Sequence, residues 1–120
     1  MIETMPGMPD NVLAFSAKGQ VTGEDYESIL IPAVEAALKK HNRVRLLYHL
    51  GPEFSGFEMA ALWDDTKVGL RHLSAWEKIA VVTDADWVRH SVTFFGFLIP
   101  AEVRVFGNHE LAAAAEWLQA

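Results

Sequence analysis

The sequence contains no cysteine at any of its 120 positions. This absence excludes a disulfide framework, a cysteine-ligated iron–sulfur cluster and a thiol nucleophile. Disulfides are rare in reducing compartments, so a chain without cysteine is consistent with a cytoplasmic protein. We therefore expect a cytoplasmic location and stability that comes from an ordinary hydrophobic core.

Basic residues are also scarce, with 10 Lys and Arg against 16 Asp and Glu and a net charge of −6. Binding to nucleic acid depends on cations that neutralise phosphates, so this balance predicts that the protein does not bind nucleic acid. Lys39, Lys40 and Arg43 form a small basic cluster. We interpret it as complementing the negative end of a helix dipole.

Long apolar runs are missing as well. The most apolar stretch, Phe94 to Ala101, contains Gly96 and Pro100 and is far shorter than the roughly 20 residues of a membrane span. We predict no transmembrane segment. A hydrophobic fraction of 51% with 22% charged residues is typical of a globular protein. The length suits one core, so the sequence predicts a single domain over residues 1–120.

Segments with strand and helix patterns alternate along the chain. Strands are predicted over Asn11–Ala17, Arg43–Leu50, Lys78–Thr83 and Glu102–Phe106, and helices over 22–40, Gly56–Leu73, Ala85–Leu98 and Glu110–Gln119. Met1–Met5 is predicted to add a short antiparallel strand at the edge. This alternation predicts an α/β fold with a mostly parallel sheet of four to five strands and about four helices.

Local signals predict where these elements begin and end. Thr22 is a candidate N-cap, and Pro32 should kink or split its helix near Ser28–Ile31 because proline lacks a backbone donor. Gly51-Pro52 should end the second strand. Later caps are predicted at Thr83 or Asp84 and at Asn108, and the core residues of the last helix at Leu111, Ala115 and Leu118.

Several short motifs, in this order, resemble the SpoIIAA-like family of STAS/SEC14-type domains. They are Gly19–Tyr26, Ile31-Pro32, Asp65–Lys67, Lys78–Asp84 with Trp87, Pro100–Phe106 and Ala115–Leu118. The resemblance implies a STAS-like α/β fold. Relatives include anti-sigma-factor antagonists, which bind a partner kinase and are switched by phosphorylation, and others are related in shape to lipid-binding SEC14 modules. The implied function is therefore binding or regulation.

Ser55 has three alternative interpretations. Anti-sigma-factor antagonists carry a phosphorylatable Ser before a Gly where a helix follows a central strand, and Ser55-Gly56 has a similar place, although Glu53-Phe54 departs from the family pattern. Ser55 is alternatively the N-cap of that helix, with Glu58 completing a capping box. A weak hydrolase would use Ser55 as nucleophile, but the G-x-S-x-G arrangement is absent. We expect a protein that is not an enzyme.

No pattern predicts a metal or a cofactor. The five histidines form no HxxxH or HxH pair, and the glycines form neither a GxGxxG nor a P-loop motif. The sequence therefore predicts that neither a metal nor a nucleotide cofactor is bound.

Aromatic residues supply the candidate binding site. Ligands of open parallel sheets lie at the carboxyl ends of strands, which puts Gly51–Gly56 and Thr83–Asp86 at the mouth. The apolar side chains there can belong to the core, line a pocket for a lipid-like ligand, or contact a protein partner such as a second copy in a homodimer. The candidate pocket or interface residues are Phe54, Phe57, Trp63, Trp87, Phe94 and Phe97.

Overall fold

The computed structural model describes residues 1–58, 75–96 and 101–120, with the backbone alone for 93–96. The elements in chain order are β1 (Ile2–Thr4), β2 (Val12–Val21), α1 (Gly23–Asp25), a π-helical turn (Tyr26–Leu30), α2 (Ile31–Lys40), β3 (Val44–Phe57), β4 (Trp76–Thr83), α3 (Asp86–Gly96), β5 (Glu102–Phe106), a 3-10 helix (Asn108–Glu110) and α4 (Leu111–Gln119). Among these residues, no helix is both long and apolar enough to cross a membrane.

Within the described part of the chain, five strands form one sheet in the order β1-β2-β3-β4-β5. β1 pairs antiparallel with β2 at the edge, and every later pairing is parallel. The predicted α/β fold with an antiparallel N-terminal edge strand is therefore confirmed. The parallel arrangement brings the carboxyl ends of β2, β3, β4 and β5 to the same edge of the sheet.

Helices cover both faces of the sheet because β3 and β4 carry apolar residues on both sides, as central parallel strands do. On β3, Tyr48 and Leu50 join the cluster that packs with α2 and α3. Leu47 points to the opposite face and packs with α4. The two clusters are separated by the sheet, since successive side chains of a strand alternate between its faces.

The first helical segment follows its local signals. Thr22 Oγ1 accepts a hydrogen bond from the Asp25 amide at 3.1 Å, and Asp25 Oδ2 accepts one from the Thr22 amide at 2.8 Å. This capping box confirms Thr22 as the N-cap. Pro32 is in the first turn of α2, directly after the π-helical turn. The predicted interruption is confirmed, because the missing N–H of Pro32 leaves one backbone carbonyl of the preceding turn without its helical donor.

The last helix begins differently from the prediction. A 3-10 helix precedes it, and Glu110 Oε1 accepts a hydrogen bond from the backbone N–H of Gly107 at 2.8 Å. The N-cap of this segment is Gly107, so the prediction of Asn108 as the cap is wrong. Ala114 is buried together with Leu118, and the predicted core position Ala115, on the same face of the helix, is only partly buried.

α4 is anchored to the sheet by two cations. Arg45 Nε donates to Glu77 Oε1 at 2.5 Å, and Arg45 also donates to the backbone carbonyl of Leu118. Lys78 Nζ donates to the carbonyl of Trp117 at 3.1 Å. These donors satisfy carbonyls that the helix end leaves free, and the hydrogen bond from Arg45 lowers the pKa of the Glu77 carboxyl below its ordinary value.

β3 extends well beyond its predicted end. Gly51-Pro52 does not stop the strand, which continues to Phe57. Leu50 pairs with Ala17 and Phe54 with Gly19, so four steps along β3 match two steps along β2. Pro52 lies in this bulge, where a residue without an N–H is tolerated in a strand. The prediction failed because proline ends a regular strand but not a bulged one.

A second irregularity follows at once. Phe54 pairs with Gly19 and Gly56 with Gln20, so Ser55 has no counterpart on β2. Gly19 has a φ of +59° and Gly56 a φ of +147°, a backbone region that favours glycine. The two glycines allow β3 to continue alongside β2 past the extra residue.

The predicted helix start at Gly56 is therefore wrong, because Gly56 and Phe57 belong to β3. Ser55 is not a helix N-cap, and Glu58 does not complete a capping box with it. Glu58 Oε1 instead accepts the amide of Gly23 at 2.9 Å. The rest of that predicted helix, including residues 59–73, lies outside the described residues.

The bulge predicts the effect of Gly56→Ala. A Cβ at Gly56 would meet no atom within 4 Å, so the cost comes from the backbone alone. Residues held in disfavoured φ/ψ regions cost roughly 1–3 kcal/mol, and we expect the free energy of unfolding to fall by that amount in urea denaturation. Ser55→Ala, in the same bulge, is the matched control and should change it by less than about 0.5 kcal/mol. Equal stability of Gly56→Ala and the parent protein would contradict the bulge.

Candidate functional site

A cavity of about 240 Å³ opens beside the bulged part of β3, at the carboxyl end of β4. Its wall contains Gly51, Pro52 and Thr83, from the two segments that the sequence analysis expects at the mouth. The full lining within the described residues is Leu50, Gly51, Pro52, Phe54, Thr83, Asp84, Ala85 and Asn108. The site is therefore built by the bulged part of β3, the β4–α3 connection and the residue that begins the 3-10 helix.

Phe54, Phe57 and Trp87 form an aromatic cluster beside this cavity. The ring centroids of Phe54 and Phe57 are 5.0 Å apart. Trp87 stacks on Phe54 at 6.1 Å with an angle of 28° between the rings. It also meets Phe57 edge to face at 6.1 Å. Phe54 belongs both to the aromatic cluster and to the wall of the cavity, so the two features are adjacent.

Trp87 is the exposed member of the aromatic cluster, with 52% of its surface accessible. It stands in the first turn of α3, and the next residue, Val88, is buried in the core. Because Val88 holds this turn against the sheet, Trp87 lies beside Phe54 at the helix surface. Half of a large apolar side chain thus faces solvent next to an open cavity.

Three of the six predicted pocket residues come together here, namely Phe54, Phe57 and Trp87. Phe94 is on α3, but its side chain lies outside the described residues. Trp63 and Phe97 also lie outside them.

Polar groups at the cavity come from the connections after β4 and β5. Thr83 Oγ1 accepts a hydrogen bond from the backbone N–H of Ala85 at 3.1 Å. Asp84 Oδ1 accepts one from the backbone N–H of Asn108 at 3.0 Å. Asn108 Oδ1 is buried and has no hydrogen-bond partner within the described residues. Asp84 lies in the Thr83–Asp86 segment that is expected at the mouth, whereas Asn108 was predicted only as a helix cap. The available signal for Asn108 was its place just after β5, the neighbour of β4 in the parallel sheet.

Ser55 is exposed on the outer side of the β3 bulge. In the part of the chain that the structure describes, its hydroxyl makes no hydrogen bond to a histidine or a carboxylate. The same part contains no group of three histidine, aspartate or glutamate side chains that could hold a metal ion. The helix dipole that would favour a phosphate on Ser55 is also absent, because Ser55 stands within a strand.

Comparison with known proteins identifies the family. The SpoIIAA-like family model matches residues 12–119. The chain belongs to the SpoIIAA-like family. This membership confirms the resemblance found in the sequence, and the family includes binding and regulatory modules.

A solved structure is similar to the SpoIIAA-like chain over nearly its whole length. It is the crystal structure of an uncharacterised protein of the DUF3478 family with a SpoIIAA-like fold, from Shewanella loihica PV-4. The two chains share 29% identity with a TM-score of 0.78, and the match covers 98% of this chain and 92% of that one. No curated protein matches the sequence.

The stacked rings predict an energetic coupling between Phe54 and Trp87. Stacked aromatic pairs contribute about 0.5–1.5 kcal/mol beyond the burial of their area, so a double-mutant cycle of Phe54→Ala and Trp87→Ala should give that coupling in urea denaturation. The control cycle combines Phe54→Ala with Trp117→Ala, because Trp117 packs against Phe106 on the other face of the sheet. The control should be additive within about 0.5 kcal/mol. Equal coupling in the two cycles would contradict the described cluster.

Proposed function

We propose that this protein is a non-catalytic binding module that takes a small apolar molecule between the aromatic cluster and the cavity beside it. The observation that carries the proposal is the 52% exposure of Trp87 next to a cavity whose wall includes its stacking partner Phe54. Exposed aromatic surface that continues into a concave pocket is typical of a ligand site.

Covering the exposed part of Trp87 contributes to the free energy of ligand binding. A buried tryptophan side chain contributes roughly 200 Å² of surface, so a ligand that covers the open half removes roughly 100 Å² from water. At about 25 cal/mol per Å² this is about 2.5 kcal/mol. Contacts with Phe54 and Leu50 inside the cavity add to it, while ordering of the ligand opposes it.

The volume of the cavity guides the choice of ligand. The described part has about 240 Å³, below the roughly 300–1,000 Å³ of pockets for drug-sized molecules. A single aromatic ring or a short alkyl chain fits this volume. We therefore propose a compact apolar group, either as a small molecule or as the end of a longer lipid-like one.

The proposal that the site is not catalytic rests on the surroundings of Ser55. A serine nucleophile needs a base within hydrogen-bond reach. Within the described residues, the Ser55 hydroxyl has no such base, and the side chain points to solvent from a bulge. These surroundings support binding over hydrolysis.

Titration with phenethyl alcohol, a neutral one-ring probe, tests the ligand site. We expect the indole N–H signal of Trp87 in a two-dimensional NMR spectrum to shift, with the signal assigned from Trp87→Phe. Phe54→Ala and Trp87→Ala should each weaken binding roughly tenfold, the equivalent of about 1.4 kcal/mol of lost apolar contact. Trp117→Ala is the matched control and should keep the parent affinity.

Two results would contradict the proposal that this site binds a small apolar ligand. One is a Trp87 signal that does not move at saturating probe. The other is a homodimer, seen by analytical ultracentrifugation, that Trp87→Ala dissociates, because the exposed ring would then be covered by a second copy.

Phosphorylation of Ser55 is a second candidate function, favoured by its exposed position in the bulge directly after Phe54. A phosphate adds about −1.5 to −2 charges at neutral pH, which would alter the edge of the aromatic cluster. We expect Ser55→Asp to weaken phenethyl alcohol binding and Ser55→Ala to leave it unchanged. We also expect mass spectrometry to find phosphate at Ser55 after incubation with kinases of the source cell. The phosphorylation proposal would be contradicted if Ser55 stays unmodified and if Ser55→Asp and Ser55→Ala bind phenethyl alcohol equally well.

A further inference from the structure

The cavity has one charged side chain on its described wall, the carboxylate of Asp84. Asp84 follows β4 directly, and its Oδ1 accepts a hydrogen bond from the backbone N–H of Asn108 at 3.0 Å. An ionised carboxylate can accept several hydrogen bonds. Within the described residues, Asp84 makes no ion pair, so most of this capacity is available to a ligand.

No described cation shares the wall with Asp84. Arg89 is the nearby cation on α3, and its guanidinium donates to the Thr83 carbonyl at 2.9 Å without lining the cavity. The whole protein also carries a net charge of −6. The local and the overall charge therefore both favour a positively charged ligand group.

The aromatic cluster supplies an apolar surface beside this carboxylate. Phenylalanine and tryptophan bury large apolar areas in ligand sites. Phe54 lines the cavity and Trp87 stacks on it. A ligand with an apolar body and a charged nitrogen would therefore meet attraction at both ends.

We propose that the ligand of this site is an apolar amine, whose ammonium group pairs with Asp84 and whose ring or chain lies against Phe54 and Trp87. The inference rests on the proposed function of the same site. Aliphatic amines are protonated at neutral pH, as lysine is, so the charged form is the one that binds.

Three probes of nearly equal size test the proposal, namely phenethylamine, phenethyl alcohol and phenylacetate. Isothermal titration calorimetry at low salt should show phenethylamine binding about fivefold to tenfold more tightly than phenethyl alcohol, and phenylacetate more weakly than either. Asp84→Asn keeps an oxygen that can accept the hydrogen bond from the backbone N–H of Asn108, but it removes the negative charge of the side chain. It should abolish the advantage of the amine, so that phenethylamine and phenethyl alcohol bind to the variant with about the same affinity. Glu102→Gln is the control with the same change of net charge, at the opposite end of β5.

The outcomes separate the inference from the proposed function. Equal binding of the amine and the alcohol, unaffected by Asp84→Asn, would overturn the amine assignment and leave the apolar site intact. A preference for phenylacetate would overturn it as well, because a donor would then face the ligand. If none of the three probes shifts the indole N–H signal of Trp87, both the amine assignment and the proposed function are contradicted.

Discussion

The candidate site depends on the pairing of the last residues of β3 with β2. Phe54 lies opposite Gly19 and Phe57 opposite Val21, so the backbone of β2 holds both rings at the carboxyl edge of the sheet. This pairing requires β3 to absorb extra residues at Pro52 and Ser55, and the positive φ of Gly56 makes that possible.

The polar side of the site has a different origin. Parallel strands end at the same edge, so Asp84 after β4 and Asn108 after β5 become neighbours and share a hydrogen bond. The 3-10 helix that starts at Asn108 leads into α4, which Arg45 anchors to the far end of the sheet. The apolar and polar sides of the cavity are thus held by separate parts of the fold. One substitution can therefore change one side and leave the other in place.

Much of the fold could be predicted from sequence because its signals are local. The capping box of Thr22 and Asp25 and the break before Pro32 depend on residues within one or two turns of each other. β4 contains the continuous apolar run Ile79–Val82, which is typical of a strand covered on both faces. The end of β3 and the most buried position of α4 could not be predicted in this way. The first depends on pairing with β2, and the second depends on how α4 packs against the sheet, where Ala114 is more buried than Ala115.

The sequence by itself determined the α/β class, the SpoIIAA-like family and the aromatic residues that merit attention, because periodicity, caps and motifs are properties of short segments. The tertiary structure alone decided that Ser55 stands in a strand bulge and not at a helix start. It also decided that Phe54, Phe57 and Trp87 meet, and that Asp84 and Asn108 meet beside them. These are contacts between residues far apart in the chain, and their geometry follows from strand register, which a single sequence does not encode locally.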